Sequence, residues 1–262
     1  MSIRGGTHVN ALQSTGVLVR MSDDRDFGSH LRTLLGDRAD AASRLEPYLV
    51  LVENHSMLPI IAYTVQLSMT HKGQAPDIHN LVVKFPDTVA GEVGANPFPR
   101  GSEIWPGEQR AYGFECEIDP SGNSDDWINE YAEWQKANTK DVVSFAAVID
   151  AALFSDGTIA GNNTSDLGER FLSHLEAQQK QYREIVDGLD RGESLDEAYK
   201  GAVALLTQGK GNRRPRPTQE SVYENLSAGE AQRWRAYWGD DKVGDILRQA
   251  LRKEPFIIRP LQ

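Results

Sequence analysis

The spacing of apolar residues changes near Asn162, and this change constrains the fold more than any other feature of the sequence. Before Asn162, apolar residues recur at every second position, as in a strand with one buried face. After it, they recur three and four residues apart, as in an amphipathic helix. The sequence therefore predicts an α+β protein, with an antiparallel β-sandwich followed by an α-helical C-terminal region.

The clearest predicted strand covers residues 61–70, where apolar and polar side chains alternate over ten positions. One face of this strand should be buried and the other wetter. The residues expected on the buried face are Ile61, Tyr63, Val65, Leu67 and Met69. Shorter strands are predicted at residues 16–20, 48–52, 81–85, 111–118, 142–154 and 158–160. The Asp156-Gly157 pair between the last two is a strong hairpin signal.

The predicted domain organisation has five parts. They are a lead-in with a short strand and helix at residues 1–45, a β-sandwich domain at 46–162, a helical pair packed on the sandwich at 163–208, a basic linker at 209–219, and a C-terminal helical segment at 220–262. Ser194 and Glu197 form a capping box at the start of the second helix of the pair. The stripe of the first helix should bury Leu175, Tyr182 and Ile185.

Composition narrows the class of protein. The chain has 262 residues, 39% of them hydrophobic and 25% charged, which is typical of a globular protein with a real core. No apolar run approaches the roughly 20 residues that a membrane span needs. The first 20 residues lack the apolar segment of a signal peptide, so a cytoplasmic location is expected. The single cysteine, Cys116, excludes an intrachain disulfide and a Cys-rich zinc site.

No complete catalytic or cofactor motif occurs in the sequence. It lacks a G-x-S-x-G elbow, an H-E-x-x-H pair, a P-loop and a dinucleotide-binding turn. His71 and His79 flank a strand connection and could meet at a metal, but exposed loop residues are the favoured interpretation. We therefore expect no cofactor and no metal, and the leading hypothesis is a non-enzymatic binding module whose partner is a protein.

The segment from Asp125 to Ala137 is predicted to be a helix with an aromatic face. Trp127, Tyr131 and Trp134 recur at i, i+4 and i+7, and Asp125 and Asp126 could cap the helix. Such a face could bind a sugar or a partner, although packing across an open end of the sandwich is the more common fate of aromatic stripes. An alternative function is a carbohydrate-acting hydrolase that uses carboxylates near this helix. The carboxylates considered are Glu115, Glu117, Asp119 and Glu130.

The last 54 residues form a basic and aromatic segment in an acidic protein. The chain carries a net charge of −10, but residues 209–262 contain 11 basic and 7 acidic residues, a balance of +4. The candidate partner-binding residues here are Arg213, Arg214, Trp234, Tyr237 and Trp238. Arginine and aromatic rings favour protein interfaces, and they also bind single-stranded nucleic acid. A regulatory subunit whose tail binds nucleic acid is therefore a further alternative.

Residues 45–165 resemble a bacterial immunoglobulin-like or fibronectin-like β-sandwich domain of uncharacterised proteins. The resemblance lies in residues 45–56, LEPYLVLVENHS, which continue to IIAYTV at residues 60–65, and in DAALFSDGT at residues 150–158. In that group an asparagine-containing turn joins two strands, and the second strand carries an Ala-Tyr-Thr step. The resemblance implies the fold and no catalytic residues. The chain departs from immunoglobulin domains proper because it lacks their paired cysteines.

Overall fold

The structure is a computed structural model in which both helices and β-sheets are present, so the α+β class is confirmed. It describes residues 7–9, 12–82, 103–113, 117–118, 124–207, 239–252 and 257–260. The chain divides into two compact units. The first lies within Met1–Lys84, Ser102–Leu167 and Ile258–Gln262, and the second within Phe85–Gly101 and Gly168–Ile257.

The first unit contains two β-sheets. Their strands are β1 (Thr7–Val9), β2 (Val17–Met21), β3 (Val50–Asn54), β4 (Ile60–His71), β5 (Pro76–Val82), β6 (Gln109–Tyr112), β7 (Glu117–Ile118), β8 (Val142–Phe154), β9 (Thr158–Gly161) and β10 (Arg259–Pro260). The larger sheet has the order β10-β9-β8-β4-β5, and β1 also pairs with β8. The smaller sheet has the order β2-β3-β6-β7.

Two strand pairs differ from the antiparallel prediction. β1 runs parallel to β8, and β10 runs parallel to β9, whereas the other pairs of described strands are antiparallel. Both exceptions come from segments near the ends of the sequence. No hairpin fixes the direction of such a strand, so it can add to a sheet edge in either orientation.

The two sheets share one apolar core. Side chains of β2 and β3, including Val19 and Val52, belong to the same buried cluster as Tyr63, Leu67 and Phe145 of the larger sheet. All five residues expected on the buried face of β4 are indeed buried. A register shift between Ile60 and Ala62, however, gives Ile60 the place in the shared core that the alternation predicted for Ile61. Ala62 and Thr64 are buried too, so the wetter face begins only at Gln66.

The strand predicted at residues 111–118 is in fact two antiparallel strands. Ala111 of β6 pairs with Ile118 of β7, so the chain must reverse between them. The sequence does not predict this reversal, because apolar and polar residues alternate in the same way in one long strand and in two consecutive antiparallel strands. The strand predicted at 81–85 is β5, which begins earlier, at Pro76, and residues 83–85 lie outside the described ranges.

Helices cover the outer face of the smaller sheet. They are α1 (Phe27–Leu35), α2 (Ala39–Ala42) and α3 (Asp125–Asn138). Leu31 of α1 and Ile128 of α3 belong to a second buried cluster with Leu51 of β3 and Ala111 of β6. Strand β3 is therefore buried on both faces. Any polar side chain at its end has to find partners inside the protein.

The second unit is helical where it is described. Its helices are α4 (Leu167–Asp190, whose first residue belongs to the first unit), α5 (Leu195–Thr207) and α6 (Asp240–Leu251). Leu175, Tyr182 and Ile185 are buried as predicted. The Ser194–Glu197 capping box is present, because Ser194 N and Oγ donate to Glu197 Oε2 at 2.9 and 2.7 Å. Arg248 of α6 forms an ion pair with Asp190 at the end of α4.

The two units divide the chain differently from the five predicted parts. Helix α6 falls in the same unit as α4 and α5, and β10 belongs to the first unit through its pairing with β9. The predicted linker at 209–219 lies outside the described residues. That the helical pair packs on the sandwich stays a prediction.

Candidate functional site

A buried carboxylate lies near the end of β3. Glu53 is two residues from Leu51, so both side chains lie on the face of β3 that helices cover. Leu51 joins the apolar cluster under those helices, and Glu53, at the edge of that cluster, is only 2% exposed. A carboxylate removed from water needs hydrogen-bond donors to remain charged.

Three side chains from different parts of the fold donate to this carboxylate. Arg20 Nε of β2 and His30 Nδ1 of α1 lie 2.7 and 2.6 Å from Glu53 Oε1. His55 Nε2, just after β3, lies 2.8 Å from Oε2. Arg20 reaches Glu53 because the strand register makes them diagonal neighbours, with Arg20 opposite Leu51 and Leu18 opposite Glu53. The sequence therefore assembles the cluster through strand pairing and helix packing together.

These donors keep Glu53 ionised. Burial by itself raises the pKa of the carboxyl, but hydrogen bonds from Arg20 and His55 and the nearby positive charge more than offset it, so the pKa lies below its ordinary value. A carboxylate that accepts from a histidine ring also fixes which nitrogen carries the proton. In its neutral form, His30 therefore carries its proton on Nδ1 and presents Nε2 as an acceptor.

The cluster opens onto a cavity of about 280 Å³, which we call the Glu53 cavity. It is lined by Ser29, His30, Thr33, Glu53, His55, Gly107, Glu108 and Gln109. Among the described residues, none bonds to His30 Nε2. A nitrogen so placed can accept a hydrogen bond from a ligand or exchange a proton with it.

The loop beside the cavity is held by one buried asparagine. Asn54 Nδ2 donates to the carbonyl oxygens of Leu58 and Ile104 at 2.8 and 2.7 Å. Its Oδ1 accepts from Ser56 N and Ser56 Oγ at 2.9 and 2.6 Å. Asn54 is fully buried, so solvent does not compete for these bonds. We call residues 54–59 the Asn54 loop, and these hydrogen bonds hold its backbone conformation.

This fixed loop presents apolar side chains to solvent. Met57 is 90% exposed and Leu58 is 37% exposed. Trp105 is 41% exposed. It directly follows Ile104, whose carbonyl oxygen accepts from Asn54 Nδ2, as the Leu58 carbonyl oxygen does. Trp105 N also donates to Glu108 Oε2 at 3.2 Å, and this bond links the backbone at Trp105 to the cavity wall. We refer to Met57, Leu58 and Trp105 as the apolar rim.

The predicted aromatic helix is present as α3. Its N-cap is Ser124, whose Oγ accepts from Trp127 N at 3.2 Å, and not Asp125 or Asp126, which occupy the first turn. Trp127 and Tyr131 stack with ring centroids 5.2 Å apart, and Tyr131 and Trp134 stack at 5.5 Å. Trp127 and Tyr131 pack against the core beneath the helices, while Trp134 remains 41% exposed. Most of the stripe is thus used in packing.

Most of the other predicted site residues lie outside the described part of the chain. Arg213, Arg214, Trp234, Tyr237 and Trp238 lie outside the described residues, as do Glu115 and Asp119. Glu130 is exposed on α3. In the part of the chain that the structure describes, no group of three or more histidine, cysteine, aspartate or glutamate side chains could hold a metal ion. No described helix is both long and apolar enough to cross a membrane.

The Glu53 cluster was not predicted from the sequence. The predicted strand ends at Val52, one residue before Glu53. A useful signal was present, because Glu53 continues the alternation of Leu49 and Leu51 on one face of a strand that is apolar throughout. No protein-family model, curated protein or solved structure matches this chain. The site's function therefore has to be argued from its geometry.

Proposed function

We propose that this protein is a binding module that docks a protein partner on the apolar rim beside the Glu53 cavity. The observation that carries the proposal is the 90% exposure of Met57 on a loop whose backbone is fixed by the buried Asn54 side chain. When a partner covers a large apolar side chain that an ordered loop exposes to water, the free energy of the system falls. Because the loop is already ordered, little conformational entropy is lost on binding.

The surroundings of the rim favour a protein over a small ligand. Protein interfaces combine an apolar centre, rich in methionine and tryptophan, with polar groups that fix orientation. Here the rim supplies the apolar part, and His30 Nε2 and the Glu108 carboxylate, on the cavity wall, supply acceptors. A partner side chain with donors, such as lysine, arginine or serine, matches these acceptors. The binding-module hypothesis is kept, with the Asn54 loop as its site in place of α3 and the tail residues.

Comparative affinity purification tests the proposal. The bait is the full chain, in its wild-type form and as Met57→Asp, Trp105→Asp, Trp134→Asp and Leu172→Asp, and captured proteins are quantified by mass spectrometry. Leu172 is the control, because it is an exposed apolar residue outside the rim, at 36% on α4, and its exposure is close to the 41% of Trp105. We expect a partner that wild type and Leu172→Asp retain and that both rim variants lose. An identical partner set for all baits would contradict the proposal, and loss with Trp134→Asp alone would place the site on α3.

A second candidate function is acid–base catalysis in the Glu53 cavity. It is favoured by His30, which lines the cavity and whose Nδ1 is held by a carboxylate at 2.6 Å, an arrangement suited to a general base. These residues differ from the carboxylates that the hydrolase hypothesis placed near Trp127. A screen of 4-nitrophenyl esters and glycosides tests it. Turnover that disappears in His30→Gln would support catalysis, and turnover equal in both proteins would exclude His30.

We also propose that the first unit has an immunoglobulin-like fold. Two sheets that share one core, joined by the step from β3 to β4, support it, while the parallel pairings of β1 and β10 are additions to such a fold. The cytoplasmic location and a nucleic-acid role for the tail stay predictions from the sequence.

A further inference from the structure

A second cavity lies beside the C-terminal half of α3. Residues 44, 46–48, 72 and 139–143 complete its lining. It measures about 430 Å³, within the usual range for small-molecule sites. Four of the residues that line it are basic, and we call it the basic cavity. Those four are Arg44, Lys72, Lys136 and Lys140. They come from the turn before β3, the β4–β5 connection and the end of α3, so folding brings them together.

None of these four basic residues has a salt bridge to a described residue, and Arg44 donates instead to the neutral Asn129 Oδ1 at 2.6 Å. Among the described residues, two carboxylates, Glu46 and Asp141, line the same cavity. In a chain with a net charge of −10, this is a local excess of positive charge. It raises the local concentration of small anions.

An unpaired buried acceptor lies on the wall of this cavity. Gln135 is 3% exposed, and its Nε2 donates to the Leu45 carbonyl oxygen at 2.9 Å, which fixes the orientation of the amide. Its Oε1 has no hydrogen-bond partner. Leaving a buried acceptor unpaired is costly. Oε1 is closed to solvent in the free protein, so a ligand donor reaches it only after the side chains around it shift, and the new hydrogen bond is then stabilising.

We propose that the basic cavity binds a small phosphate monoester that also carries hydroxyl groups, in the size range of a sugar phosphate. The phosphate pairs with the lysines and Arg44, which suit a dianion. A hydroxyl donates to Gln135 Oε1, and the carboxylates of Glu46 and Asp141 accept from further hydroxyls. The two acidic residues are then part of the recognition, since a bare anion would be repelled by them. This site shares no lining residue with the Glu53 cavity.

Isothermal titration calorimetry with glucose 6-phosphate, inorganic phosphate and glucose tests this inference. We expect glucose 6-phosphate to bind the full-length protein with a dissociation constant below about 1 mM. Inorganic phosphate should bind at least about tenfold more weakly, and glucose more weakly still, because each lacks one half of the recognition. No saturable binding of glucose 6-phosphate would overturn the inference. Equal affinity for inorganic phosphate would also overturn it.

Matched lysine variants locate the site. The double variant Lys136→Gln and Lys140→Gln should weaken glucose 6-phosphate binding by about tenfold or more. The control removes two exposed lysines elsewhere, Lys180→Gln and Lys200→Gln, and should leave the affinity unchanged. Lys72→Gln, on a separate element, gives a second measurement should the double variant fold poorly. Binding that is insensitive to all cavity variants would place the ligand elsewhere and contradict the inference.

Discussion

At the scale of single residues, Glu53 shows how a charge is stabilised inside this protein. Its carboxylate is almost removed from water but accepts from Arg20, His30 and His55. Hydrogen bonds to an ionised group are about twice as strong as neutral ones, and their loss leaves the donors unpaired. The cluster therefore contributes to stability as well as shaping the cavity.

The variant Glu53→Gln should lower the free energy of unfolding at pH 7 by about 2–4 kcal/mol. The amide is neutral and can accept through only one oxygen, so at least one donor loses its partner. Urea denaturation followed by circular dichroism measures the change. Glu130→Gln, at an exposed position on α3, is the control and should change stability by less than about 0.5 kcal/mol.

The contribution of Glu53 should also depend on pH. Because its folded-state pKa is lowered, the unfolded chain takes up a proton first as the pH falls. The stabilisation is complete above the unfolded pKa, about 4.3, and is lost as the pH drops through the lower folded value. The stability difference between wild type and Glu53→Gln should therefore shrink as the pH falls below about 4. A difference that stays constant or grows between about pH 4 and pH 2 would contradict the assignment.

At the scale of elements, the Asn54 loop depends on a close approach by another segment. Gly16 has φ +81°, and a Cβ there would lie 2.7 Å from Ser56 N. Its carbonyl also accepts from His55 N at 2.7 Å. Glycine is needed here for two reasons, the left-handed backbone and the lack of space.

The variant Gly16→Ala should therefore cost more than a change that strains the backbone alone. Gly73→Ala is the matched control, because Gly73 has φ +76° and nothing within 4 Å of the added Cβ. We expect Gly16→Ala to be less stable than Gly73→Ala by about 1–3 kcal/mol in urea denaturation. Equal losses would show that the Asn54 loop moves freely and is not fixed before binding.

The segment that leads into α4 is anchored by Asp150 of β8. Its two oxygens accept from the backbone N and hydroxyl of both Thr164 and Ser165, at 2.7 to 3.0 Å. Burial raises the pKa of this carboxyl, but these bonds more than offset it, so the pKa lies below its ordinary value. A side chain on the sheet thus fixes where the chain leaves the sheet.

The variant Asp150→Asn should destabilise the protein by about 2–3 kcal/mol, because the amide nitrogen would face donors. Asp156→Asn is the comparison, since Asp156 accepts similar bonds from Thr158 but is exposed, so water can replace them. Thermal denaturation of the two variants measures the contrast. Equal effects would mean that burial of Asp150 adds nothing.

The same elements show what the sequence can and cannot predict. β8 was predicted with its observed bounds, Val142–Phe154, because a long apolar run and the Asp156-Gly157 turn are both local signals. The β6–β7 reversal and the bulge at Ile61 were missed, because they depend on neighbouring strands. The Glu53 cluster was missed for the same reason, since its donors are separated along the chain and meet only in the fold.

At the scale of the whole molecule, the change in apolar periodicity near Asn162 corresponds closely to the boundary between the two units. The sheets lie before it, and α4 begins at Leu167. The exception is β10, which returns from the C-terminal region to the first unit. A two-residue strand with exposed side chains carries no periodicity, so its pairing could not be predicted from the sequence.

The proposal that a protein partner covers Met57 can be tested by site-specific photo-crosslinking, with a benzophenone amino acid placed at position 57 or, as a control, at position 172 of the full chain. We expect irradiation in the cells that produce the protein to yield a discrete crosslinked species at position 57 and none of that species at position 172. The same crosslinks at both positions, or none at position 57, would show that no partner is specific to Met57.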